Sequence, residues 1–206
     1  MGLFIGCAQQ PRNVQLSENF WQNKNQKIAI ASFKAPKPQV RTVGAQGLLD
    51  LAVNTTMNSG MNTFLKRTDL TWYKEINSSF ANRLKEHTIK TSVLPQEFEH
   101  DKKSRELLLS QVEADKVLTL ELRAIGARRE YYSIIPKGAP EAFCVLVGEL
   151  IDPKDKKVWW HHEVVIVQPV QGAWDQGPNY PNFTNALNVA VNEAKQEILD
   201  SFFSGK

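Results

Sequence analysis

Residues 104–126 read SRELLLSQVEADKVLTLELRAIG, and the fold turns on this stretch. Leu107 to Val112 suits a short helix. From Lys116 onward Leu118, Leu120 and Leu122 alternate with Thr119, Glu121 and Arg123. A period of two with one apolar and one charged side marks a half-buried strand with one wet face. The change of period across Glu113, Ala114 and Asp115 therefore joins a helix to a sheet strand through a short turn. Such a strand needs partners on both edges and a helical cover on its leucine side.

Working outward, the neighbouring segments supply those partners. Trp72, Ile76, Phe80 and Leu84 recur every fourth residue, with Lys74, Glu75, Arg83, Lys85 and Glu86 on other faces, the pattern of an amphipathic helix. It leads into a candidate strand at Thr88 to Leu94. KIAIASF at Lys27 to Phe33 reads as a short buried strand, and APKPQVRTVGAQG at Ala35 to Gly47, with two prolines and two glycines, reads as a loop. Downstream, Ala142 to Ile151 and Val158 to Val167 flank the turn-forming DPKDKK and predict an antiparallel hairpin. A final helix is expected from Phe183 to Phe203, with Asn182 or Thr184 able to cap it. The expected fold class is α/β: a mixed sheet of about five strands, helices packed on one face, and a C-terminal antiparallel hairpin plus helix. Residues 27–206 are expected to form this single domain, and residues 1–26, rich in Gln, Asn and Ser, a tether leading to it.

One helical segment departs from the usual amphipathic plan. Leu49, Val53, Met57, Met61 and Phe64 recur at helical spacing, yet between Arg41 and Lys66 the only charged side chain is Asp50. An exposed helix normally carries charge on its outer face, so this one is expected either to be covered by its own domain or to meet a partner. Met57 and Met61 are accordingly candidate partner-binding residues. The loop GAWDQGPNYPNF from Gly172 to Phe183 adds Trp174 and Tyr180, aromatic rings held among prolines and glycines, as candidate interface anchors. The competing reading folds both rings back over the end of the sheet.

Composition excludes several classes. At 206 residues with 42% hydrophobic and 23% charged side chains, the chain is long enough and apolar enough to bury a core. The net charge of +3 is spread, and Lys154 to Lys157 and Arg128-Arg129 make a turn and a strand end rather than the basic stripe of a nucleic-acid binder. No run approaches the roughly 18 to 20 apolar residues of a membrane-spanning helix. The two cysteines, Cys7 and Cys144, make neither a disulfide framework nor a zinc spacing, and Cys144 reads as a buried thiol.

Chemistry-bearing groups are few. In VWWHHEVV, His161 and His162 point to opposite faces of a strand, so only His161 and Glu163 share a face, which Glu149 of the neighbouring strand can join. Two or three such groups are expected to form a cross-strand polar cluster rather than a metal site. No GxSxG elbow is present, and GAQG at Gly44 to Gly47 lacks both phosphate-loop patterns, so neither a catalytic residue nor a cofactor is expected. N-x-S/T occurs at Asn54, Asn77 and Asn182, a motif short enough to arise by chance.

The start, MGLFIGCAQQ, carries a resemblance. FIGCA around Cys7 resembles the bacterial lipobox, a small apolar run ending Gly-Cys whose cysteine becomes lipidated. Only Gly2 to Gly6 precede the cysteine, where a signal peptide has an apolar stretch of about 7 to 15 residues, so the signal reads as clipped. Myristoylation on Gly2 would want Ser or Thr where Gly6 stands. The helix, Ala-Asp turn and central strand of residues 104–126 also resemble those of the curli secretion lipoprotein and penicillin-binding-protein activator lipoprotein family. That resemblance implies lipidation on Cys7, sorting by Ala8 to the periplasmic face of the outer membrane, and a non-enzymatic domain that binds other envelope proteins or like subunits as an accessory part of a secretion or cell-envelope complex. The alternative from the residues themselves is a soluble ligand- or metal-binding domain or enzyme using the His161/Glu163 face.

Overall fold

A computed structural model describes residues 13–174, 177 and 179–204. The elements in order are α1 (Glu18–Gln22), β1 (Lys27–Phe33), β2 (Gln39–Ala45), α2 (Leu48–Met57), α3 (Ser59–Leu65), α4 (Thr71–Glu86), β3 (Lys90–Phe98), α5 (Lys102–Gln111), β4 (Lys116–Tyr132), β5 (Ile135–Ile151), β6 (Val158–Pro169) and α6 (Pro181–Phe203). They build an α/β fold on one mixed sheet of six strands, with spatial order β3-β1-β4-β5-β6 and β2 paired to β4. β1 is parallel to β3 and β4, while β4, β5 and β6 are successively antiparallel.

β4 is the axis of the sheet, as its alternating leucines predict. β1 lies beside its first part, from Ile28 against Lys116 to Ser32 against Leu120. The chain then leaves that edge and returns as β2, from Gln39 against Gly126 to Ala45 against Tyr132. This stretch, with two prolines and two glycines over residues 35–47, is expected to be a loop; instead residues 39–45 form a strand paired to β4. Its ladder is nonetheless complete enough to hold: the Val40 amide donates to Asn62 Oδ1 at 2.9 Å. Gly126, at φ +144°, permits the approach, since a Cβ there would sit 2.1 Å from the Gln39 carbonyl oxygen.

The two faces of the sheet are covered differently. Leu118, Leu120, Leu122, Leu146, Leu150, Trp160 and Val164 turn to the main core, which α4 and α6 close with Ile76, Phe80, Leu84, Leu187, Ile198 and Phe202. An aromatic cluster sits at its centre: the Phe202 ring lies 4.9 Å from Trp160 and 5.4 Å from Phe80, both edge-on. Gly148 makes room for this, because a Cβ there would lie 2.4 Å from the Trp160 ring. On the opposite face α5 adds Leu108 and Leu109 to a smaller core with Ala31, Phe33, Phe98, Val117 and Ile151. Helices on one face thus describes the main core, and α5 is the addition on the other.

Residues 13–26, expected as part of the tether, lie along the domain. Val14 exchanges backbone hydrogen bonds with His161 at 2.9 and 3.0 Å, and Leu16 and Phe20 are buried in the main core. α6 begins two residues before the expected Phe183: Tyr180, at φ +42°, stands at the N-cap and Pro181 opens the helix. Asn182 instead donates to the Ala173 carbonyl at 2.7 Å, and Thr184 Oγ1 donates to the Asn179 carbonyl at 3.2 Å.

Candidate functional site

Two surfaces stand out, one polar and one apolar. The polar one is the wet side of β4 and its partners. Register places Thr119, Glu149 and His161 side by side, then Glu121, Val147 and Glu163. Arg123 falls on the same side by the ordinary alternation of β4, and the bulge between Leu122 and Ala124 shifts the phase beyond it, so that Ile125 and Ala127 join the main core. Arg123 bridges Glu121 at 3.3 Å and Glu163 at 3.1 Å, and His100 Nδ1 lies 3.1 Å from Glu121. Arg105 of α5 is bonded to Glu149. An open groove of about 530 Å³ beside this network is lined by Pro36, Arg41, His100, Glu121, Arg123 and Glu163 among others.

The predicted trio of Glu149, His161 and Glu163 therefore falls on one face, but not as one cluster. His161 pairs with Glu149, Nδ1 to Oε1 at 3.6 Å, while Glu163 belongs to Arg123. His161 is 2% exposed and neither ring nitrogen has a hydrogen-bond partner. Burial pushes its pKa below the ordinary 6.5, opposed by the nearby Glu149 charge, so the ring is neutral at neutral pH. Cys144 lies on the other face, wholly buried, its thiol pushed up to about 12 by burial, which makes it a poor nucleophile. Among the described residues no group of three or more His, Cys, Asp or Glu side chains is arranged to hold a metal ion. Each carboxylate in the groove already has a cationic neighbour, so an entering cation would have to break a standing pair.

The apolar surface is formed by α2 and the turn between β4 and β5. The segment from Leu48 to Leu65 is two helices, broken at Asn58. α3 buries Met61 and Leu65. α2 buries only Asn54, and leaves Leu48 90%, Leu49 84%, Met57 53%, and Leu51 and Val53 each 44% exposed. Of the two expectations for this segment, cover by its own domain fails for α2. The helix is held by its amides: Asn54 Nδ2 donates to Gln46 Oε1 at 2.8 Å and to the Ser133 carbonyl at 2.9 Å. Asn58 Nδ2 donates to the Asn54 carbonyl and to the Tyr131 hydroxyl, and accepts from Arg129 through Oδ1 at 3.0 Å. Asp50 accepts from the Gly47 amide at 2.9 Å and fixes the first turn.

The same bonds seat the strand turn beside α2. Ser133, at φ +54°, donates its amide to the Ala45 carbonyl at 2.8 Å. Tyr132 and Ile135 are each 63% exposed and Ile134 is 46% exposed, so the turn extends the apolar surface of α2. Nothing in the local pattern around 132–135 singled these three out; only their place beside α2 does. Trp174 and Tyr180 are half-buried and pack on the main core. Trp174 covers the buried Arg129 guanidinium at 4.2 Å, and the Tyr180 ring lies 5.0 Å from Phe64. Cys7 lies outside the described residues.

No protein-family model and no curated protein matches the chain. Several solved structures are similar in outline. Protein XCC0632 from Xanthomonas campestris is 12% identical, with 92% of this chain and 86% of that one covered at a TM-score of 0.42. The lipoprotein GNA1162 from Neisseria meningitidis is 13% identical over 83% and 99%, at 0.32. The LpoB C-terminal domain from Salmonella enterica is 9% identical over 73% and 95%, at 0.31. The similar structures thus include a bacterial lipoprotein, but at identities and scores this low they assign neither family nor function.

Proposed function

We propose that this chain is a non-enzymatic envelope lipoprotein, lipidated on Cys7 at the periplasmic face of the outer membrane, whose α/β domain works by binding other envelope proteins or like subunits. The observation that carries the binding role is the apolar surface of α2 and the 132–135 turn, held rigidly by Asn54 and Asn58 and left open to water. A patch of that kind on a well-packed domain marks an interaction site. The anchoring half rests on FIGCA at residues 4–8. Among the described residues no helix is long and apolar enough to cross a membrane, and three acyl chains on one cysteine would hold the domain firmly where one would not.

Replacing Cys7 by Ser in the gene expressed in its own cell tests the anchor. Loss of the protein from the membrane fraction is expected, and unchanged fractionation would sink that half of the reading. The alternative, a ligand at the His161/Glu163 face, predicts that purified protein is stabilised against heat by a small ligand or metal and that Glu163→Gln abolishes the effect.

A further inference from the structure

We propose that the surface formed by α2 and the 132–135 turn pairs with the same surface of a second copy of this chain about a two-fold axis; this rests on the protein-binding reading above and gives its partner.

Area is the first argument. Leu48, Leu49, Leu51, Val53, Met57, Tyr132, Ile134 and Ile135 are 44% to 90% exposed. Summed over these eight side chains, the exposed area is on the order of 800 Å². The largest open patch on an ordinary monomer is about 300–600 Å², whereas each partner in a standard protein interface contributes about 800 Å². The summed exposure is therefore of the size that one half of a stable dimer requires.

Charge is the second argument, and it is compatible with a second copy. A two-fold contact sets a surface against itself, so a patch of one strong sign would repel its copy. Between Arg41 and Lys66 this one carries only Asp50, and that carboxylate is engaged with the Gly47 amide. At the turn, Lys137 is paired with Glu130 and Arg128 with Glu141. The surface is close to neutral and tolerates its own image. A lipid surface fits less well: Asp50 stands between Leu49 and Leu51, so inserting those leucines would draw a carboxylate toward hydrocarbon.

The test uses the full chain in its own membrane, with a photo-crosslinking amino acid at Leu49, and the purified full chain carrying Cys7→Ser in sedimentation equilibrium. A crosslinked product of two copies is expected, together with a concentration-dependent dimer that Leu49→Asp or Ile135→Asp weakens on the order of tenfold or more. Val165→Asp, at a residue 57% exposed on the other face, should leave the dimer intact. Two variants guard against one misfolding, and an unchanged thermal transition confirms that each is folded. A crosslink to a different protein with a monomer in solution overturns self-pairing while leaving the protein-binding reading in place. Crosslinks to lipid alone, or to nothing, overturn both.

Discussion

α6 and α2 use the same apolar residue types in opposite ways. α6 turns Phe183, Leu187, Val191, Ala194, Ile198 and Phe202 to the main core and keeps its polar residues outside. α2 turns Asn54 to the domain and its leucines, valine and methionine to water. The first is held by dispersion and the removal of apolar surface from water. The second is held by a few amide hydrogen bonds whose net worth is only about 0.5–1.5 kcal/mol each. An isolated helix of this length is marginal in water, so α2 depends on those bonds and on whatever covers its outer side. Helical periodicity reports where apolar side chains repeat and does not say whether the surface that they meet belongs to the same molecule.

The comparison can be broken at the core end with the largest effect. Trp160→Ala removes the ring against which Phe202 packs, and a cost of about 3–5 kcal/mol is expected in denaturant unfolding. A cost well below that would mean that this core is looser than its packing implies. Gly148→Ala attacks the same place by excess: its Cβ would press on the Trp160 ring, and about 1–3 kcal/mol of destabilisation should follow.

The polar face offers an intermediate test through pH. The folded-state pKa of His161 lies below its ordinary value, so between the two the unfolded chain binds the proton and the folded chain does not. Its contribution is therefore present in full above about pH 6.5 and is lost as pH falls toward the lowered folded value. Denaturant midpoints of the native protein should fall between about pH 7 and pH 5.5, and His161→Phe should flatten part of that slope. An equal slope in both proteins would show that the ring is not held neutral by its burial.

The smallest effect on stability is expected where α2 meets water. Leu49→Asp should leave the unfolding free energy of the dilute chain within about 0.5 kcal/mol of native, in contrast to any aspartate placed on the inner side of α6. A large loss would mean that Leu49 packs within its own domain and would remove the contrast between the two helices.

Much of the fold was legible because its elements are strongly periodic. Leu118, Leu120 and Leu122 announced the central strand, Trp72 to Leu84 announced α4, and the two apolar runs around DPKDKK announced the β5–β6 hairpin. β2 escaped because an edge strand with one partner needs no alternation, and its partner residues 126–132 lie far along the chain. The site was legible only in part. The shortage of charge between Arg41 and Lys66 marked α2 as unusual, and the shared face of His161 and Glu163 followed from strand geometry. That Arg105 and Arg123 would take up Glu149 and Glu163 could not be read, since those pairs join residues 44 and 40 positions apart.

The class of the fold and the wet and dry sides of β4 were legible in the chain alone, because these depend on local period and on which residue types are present. Only the tertiary structure decided which way α2 faces. That orientation is set by the bond from Asn54 to the Ser133 carbonyl, 79 residues away, and a contact of that range leaves no mark on the local pattern. The same bond sets Tyr132, Ile134 and Ile135 beside the leucines of α2, so that two unremarkable stretches of sequence become one surface.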